Sequence, residues 1–319
     1  MDYFSQNLKN IEKTLTRGMI WHYISVHGHD CKFSAWQQML NIKANLEDEE
    51  DANIQNRIFG CLFGLLHNVF PFEKRDEMAD YFWDLLRDKM IPRWNKETSG
   101  DAKNIVNSLL LKLVSLTSSE RTINTAINWL EKKESILAEE IKERPLEFNQ
   151  NARRSLIRTI WASKTVDIAV KRRLLEKEIE GDESDDAEKL QTYCEAAQPI
   201  PEIKKKVFES SIDRADKRSQ HLRNAAMHGF QQWKQADLLE EYTDIWFDRI
   251  LNIFETSDRR FAEAVYYNLN PANYLKTPEI LEKLKNLRTQ ITDEQKYMKR
   301  LVTNTIEGLE KVLKEIELM

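Results

Sequence analysis

Residues that stop a helix are scarce in this chain: it has 8 Gly and 7 Pro among 319 residues, roughly 5% against about 12% in average usage. Sandwiches, propellers and barrels need a Gly or Pro turn about every 8 to 12 residues and cannot be written with so few. Phosphate-cradling folds fail on the same ground. No Gly is followed by Lys, as a P-loop requires, and no three glycines have the dinucleotide-fingerprint spacing. A mainly helical protein remains.

Apolar periodicity agrees. Leu239, Tyr242, Trp246, Ile250 and Ile253 recur at steps of three and four, as do Met298, Val302, Ile306, Leu309, Leu313 and Ile316, so each set lies on one face of a helix. From position 151 onward the pattern predicts helices at 151–163, 166–180, 185–197, 201–213, 219–229, 237–256, 258–269, 278–288 and 293–317. Before that it predicts 16–27, 33–45, 52–69, 74–91, 101–116, 119–132 and 134–142. Start signals support these ranges. Thr277-Pro278 places a capping oxygen before a first-turn proline, and Thr292 with Gln295, Thr117 with Glu120 and Asp185 with Glu188 have capping-box spacing.

About sixteen helices in antiparallel pairs, one pair roughly every 40 residues, is the period of HEAT and armadillo arrays. The expected fold is an all-α, α-α superhelix, because such a pair cannot bury its apolar face without neighbours. No strict internal repeat is visible. The chain reads as one solenoid domain, 1–319, with a bend in the acidic, Pro-containing stretch 139–151.

Charged residues make up 32% and apolar residues 41%, with a formal net charge of −5. This balance speaks against binding nucleic acid or an anionic membrane, which needs a dominant basic face. The clusters Lys171-Arg172-Arg173 and Lys204-Lys205-Lys206 are each followed by acids and read as solvated helix faces. Cys31, Cys61 and Cys194 are odd in number and far apart, hence reduced thiols and a cytoplasmic setting. The longest apolar run, Ile58 to Leu66, is less than half a membrane span.

Catalytic signatures are missing. His22, His27, His29 and Cys31 crowd one stretch but lack the two separated ligand pairs of a structural zinc site. They read as an interhelix turn, and no metal ligand is expected. His221 and His228 lie two helical turns apart, too far to share an ion. Gly60 and Gly64 enclose Leu62 where a nucleophile elbow has Ser, and read instead as a close helix–helix contact. No catalytic residue is assigned.

Three stretches resemble the end of aminopeptidase N-type zinc enzymes: Asn224 through Gln232, Leu238 through Phe247, and Asn270 through Tyr274. In those relatives a short Gly-Phe turn precedes a helix with a Leu-Leu-x-x-Tyr pattern, and a Pro-containing turn follows one helix later. Leu15-Thr-Arg-Gly-Met-Ile-Trp21 and the segment Glu180 through Pro199 resemble earlier parts of the same domain. The likeness runs from about Leu8 to Glu317, and its specificity comes from the order and spacing of motifs that are individually weak. It implies the C-terminal helical domain typified by endoplasmic reticulum aminopeptidase, a HEAT-like superhelix whose concave side closes over a separate zinc catalytic domain. The family's His-Glu-x-x-His and Gly-x-Met-Glu-Asn motifs have no counterpart, since no His and no Met precedes Glu in this sequence.

The resemblance therefore implies a lid that encloses the substrate chamber of a peptide-trimming exopeptidase and is inactive on its own. Zinc belongs to the catalytic domain, which is the expected partner together with the peptide substrate. A peptide's terminal carboxylate calls for a planar, fixed cation, for which Arg suits better than Lys. Arg154 and Arg158, one helical turn apart, and Arg223 are the candidates, against the plainer reading that each pairs with a neighbouring carboxylate. The alternative function is a free-standing helical-repeat scaffold that binds a protein partner in its concave groove, which asks nothing beyond the solenoid.

Overall fold

The computed structural model describes residues 7–29, 34–70, 72–85, 88, 114, 119–132 and 149–317. Among the described residues every regular element is helical and no strand occurs. The α-helices are α1 (Thr14–His29), α2 (Ala35–Asn45), α3 (Ala52–Asn68), α4 (Phe72–Leu85), α5 (Glu120–Lys132), α6 (Gln150–Ala162), α7 (Ile168–Ile179), α8 (Asp185–Ala196), α9 (Pro201–Ile212) and α10 (Gln220–Phe230). They continue with α11 (Ala236–Leu239), α12 (Tyr242–Thr256), α13 (Arg259–Leu269), α14 (Pro278–Gln290) and α15 (Lys296–Glu317). The expected helices at 101–116 and 134–142, and Cys31, lie outside the described residues, apart from the single helical position Val114.

Helices pack on their first and second neighbours along the chain, as in an α-α repeat: α1 on α2 and α3, α8 on α9 and α10, and α12 on α13. Two compact units result. One comprises Met1–Ala152 with Lys311–Met319, and the other Arg153–Glu310. In the first, Trp21, Ile42, Phe59, Leu62 and Phe82 are buried, and Arg17 grips Glu49 through two bonds of 3.0 Å while also donating to Ile11 O at 2.7 Å. Glu315, also buried, accepts the Ala35 N–H at 2.5 Å where α2 begins, so an anion sits at the positive end of that helix. In the second, Phe208, Phe230 and Tyr242 meet with ring centroids 4.8–5.7 Å apart. Each large side chain of this kind contributes about 1.5–3 kcal/mol when fully buried.

Several starts follow the sequence signals. Thr277 accepts from Ile280 N at 3.3 Å ahead of Pro278. Elsewhere they shift: the residue before α8 is Ser184, so Asp185 lies inside the first turn and does not cap it. The pattern over 237–256 resolves into α11 and α12, separated by Glu240-Glu241. Among the described residues Gly60 and Gly64 do not mark a close contact, because a Cβ added at either meets none of them within 4 Å. The tight approach is at Gly229, where a Cβ would run into the carbonyl oxygen of Tyr193 and lie 2.8 Å from Ala196 Cβ. Gly229 is also not in a turn, being the penultimate residue of α10.

The two basic clusters need a larger correction. Arg172, Arg173, Lys205 and Lys206 are exposed, but Lys171 and Lys204 are buried. Lys171 Nζ donates to Trp161 O at 3.1 Å and Ser163 O at 2.6 Å, at the end of α6. Lys204 Nζ donates to Ala196 O at 2.9 Å, Phe230 O at 3.1 Å and Gly229 O at 3.4 Å, joining the ends of α8 and α10. Arg75, likewise buried, donates to His67 O at 2.7 Å and Phe70 O at 3.0 Å at the end of α3. Each of these cations is the fourth residue of its helix, α4, α7 or α9. Each therefore reaches back to carbonyls at the end of the preceding helix, and Lys204 also reaches forward to those that close α10, so each charge faces the negative end of a helix dipole. Gln235 Nε2 completes the set by bridging Ala162 O at 2.7 Å and Ala197 O at 2.8 Å.

Candidate functional site

The three arginines singled out by sequence have different surroundings. Arg154, on the inward face of α6, is buried. It bonds Asp182 at 2.5 Å and lies 3.7 Å from Glu178, whose carboxylate also takes Arg153 at 2.8 Å. Hydrogen bonds from Ser184, followed by the Arg154 guanidinium, hold the Asp182 carboxyl below the usual carboxylate range. Arg154 is thus committed to its neighbours. Arg223, on α10, is half-buried and donates to Asp216 O at 3.1 Å and Arg218 O at 3.4 Å. Its guanidinium also lies over Phe261, 5.1 Å from the ring centroid.

Arg158 differs from both. One turn after Arg154, it is exposed, and its guanidinium stands over the Tyr193 ring at 5.3 Å from the centroid. The Tyr193 hydroxyl accepts from Gln232 Nε2 at 2.9 Å, and the same amide group donates to His228 O at 3.0 Å. Three elements build this arrangement: α6 supplies the cation, α8 the ring under it, and the segment after α10 the amide that fixes the ring. Burial pushes the Tyr193 phenol upward, so the ring stays neutral. Arg158 and Arg154 share a helix and Arg223 sits apart with separate partners, so the structure does not gather the three into one cluster.

A guanidinium stacked on an aromatic face keeps its planar fork of N–H donors directed outward. Such a group can take a carboxylate in two parallel hydrogen bonds. The adjacent Cys194 is fully buried, and burial pushes its thiol far up, which makes it inert. Sequence reasoning did not find Tyr193 or Gln232. Their link spans 39 residues, and no local pattern encodes it.

Among the described residues no group of three or more His, Cys, Asp or Glu has the placement to hold a metal ion. The His22 imidazole is engaged through Nδ1 with Arg57 at 2.7 Å. The crowded stretch after it is helical up to His29, while the side chains of His27 and His29 lie outside the described set. Among the described residues no helix is long and apolar enough to cross a membrane. Compared with known proteins, the chain matches no protein-family profile and no curated protein sequence.

Proposed function

We propose that this chain is the C-terminal helical domain of an aminopeptidase N-type zinc exopeptidase. In this reading it encloses the substrate chamber and holds the far end of the peptide, while zinc and the peptide-cleaving groups belong to a separate catalytic domain. The observation that carries the reading furthest is Arg158, an exposed guanidinium held on Tyr193 and suited to a terminal carboxylate. A lid of this kind contributes by positioning substrate and excluding water.

Calorimetric titration of the chain with a peptide of about ten residues tests the contact. The free-acid form is expected to bind about tenfold more tightly than its C-terminal amide, the scale of one charge-assisted pair. Arg158→Ala should erase that difference, and Arg158→Lys should restore part of it. Equal binding of acid and amide by the unaltered chain would remove the contact. For the lid reading itself, the isolated chain should retain no zinc and leave an alanyl chromogenic amide intact. Stoichiometric zinc with turnover would refute it.

A further inference from the structure

Between Ala152 and Ala162 every residue of α6 is buried or half-buried except Arg158. The one side chain that this stretch of helix sends to solvent carries a permanent positive charge. Among the described residues it forms no ion pair. Glu195, the acid nearest to Tyr193 along α8, is two positions on and so points to a different side of the helix, where it accepts from Gln191 Nε2 at 3.0 Å. The cation is thus held by a ring face, and no carboxylate of α8 is placed to neutralise it.

The direction of the hydrogen bonds beneath Arg158 locates a second donor. A backbone carbonyl only accepts, so the Gln232 amide atom 3.0 Å from His228 O is its nitrogen. The same nitrogen lies 2.9 Å from the Tyr193 hydroxyl, and its two hydrogens serve the two contacts. The phenol oxygen is therefore the acceptor in that bond and keeps its own proton to give. No acceptor for that proton occurs among the described residues. Burial raises the phenol above its ordinary range, so the proton is present at neutral pH.

We infer that the Tyr193 hydroxyl is a second ligand contact, donating its proton to the same carboxylate that the Arg158 fork takes. A carboxylate has two oxygens and about four lone-pair sites, enough for a guanidinium above the ring and a hydroxyl at the ring's edge. Helices α6 and α8 then supply one donor each, and Gln232 is a positioning residue that turns the phenol proton away from itself. The site selects an anion that accepts on two oxygens and not a bare negative charge. This inference rests on the carboxylate reading of Arg158 and adds the residue that shares its ligand.

Calorimetric titration with the peptide of about ten residues, as free acid and as C-terminal amide, separates the two contacts. Tyr193→Phe keeps the ring under Arg158 and removes only the hydroxyl. The preference for the acid should fall from about tenfold to about threefold, the loss of one ordinary hydrogen bond. Gln232→Leu leaves the hydroxyl in place and should lower the preference less than Tyr193→Phe does. In the unaltered chain, the NMR signal of the Tyr193 ring carbon that bears the oxygen should move further on adding the acid than on adding the amide. An undiminished preference in Tyr193→Phe overturns the inference and leaves the Arg158 contact standing. So does an equal fall in both variants, which would make the hydroxyl a tether for Gln232 and nothing more, or a ring-carbon signal that acid and amide move alike. Equal binding of acid and amide by the unaltered chain removes the Arg158 reading, and this inference with it.

Discussion

Replacing Gly229 by alanine is expected to be among the most damaging single-methyl changes in the second unit. The new Cβ meets the Tyr193 carbonyl oxygen and lies 2.8 Å from Ala196 Cβ, so α8 and α10 must separate. Forcing atoms into a packed contact costs about 1–3 kcal/mol and sometimes more. Here the upper end applies, because the atom in the way is backbone. The Gly229 and Phe230 carbonyls that Lys204 holds would move too. Urea denaturation of the variant should show a midpoint drop corresponding to about 3 kcal/mol. Gly60→Ala is the control. Gly60 is an exposed helical residue whose added Cβ meets nothing within 4 Å, so the substitution should be stabilising by about 0.5–1 kcal/mol. Equal responses at the two glycines would show that close packing of α8 on α10 does not govern the second unit.

Lys204→Met should produce the second large effect. Methionine has nearly the same length but no donor, so the carbonyls of Ala196, Gly229 and Phe230 lose the ammonium that joins them. A buried acceptor left unsatisfied costs about 1–3 kcal/mol, and a loss of at least ~2 kcal/mol is expected at neutral pH. The pH dependence gives an independent signature. Burial pushes the Lys204 ammonium down to about 7 from an ordinary 10.5. Between those values the unfolded chain binds more protons than the folded one, so this residue makes stability rise with pH from about 7 and level off near 10.5. The slope is at most ~1.4 kcal/mol per pH unit. Subtracting the variant's profile from that of the unaltered chain should isolate this rise. A flat difference would mean that the carbonyls and helix ends hold the ammonium against burial, and unchanged stability would mean that the clasp contributes nothing.

The helices were legible because their signal is local. Scarce breakers and three-four periodicity placed α7, α9 and α13 within about two residues, inside the usual boundary uncertainty. Gly229 was visible as a helix-end glycine, but its reason was not, since the obstructing Tyr193 lies on another helix. Gly60 and Gly64 misled for the converse reason: their spacing is that of a packing motif, and only the fold reveals open space beside them. Lys171 and Lys204 were hidden in runs of cations whose other members are solvated. Nothing about three adjacent basic residues says which one turns inward until the helix start is fixed and the fourth position counted. At the candidate site, the arginines were legible as residue types. Only tertiary structure separates Arg154, bound to Asp182, from Arg158, displayed on Tyr193.

The buried cations also alter how the protein presents itself to charged surroundings. Among the described residues Arg75, Arg154, Lys171 and Lys204 are withdrawn from solvent, against the buried carboxylates Glu49 and Glu315. The formal net charge of −5 counts them all equally, so among the described residues more basic than acidic charge is held below the surface. Long-range attraction follows the summed charge, buried groups included, whereas close contact meets only the side chains at the surface. A ligand at contact range therefore meets fewer of the described cations than the sequence total suggests, and the exposed fork of Arg158 is one that an approaching anion can reach.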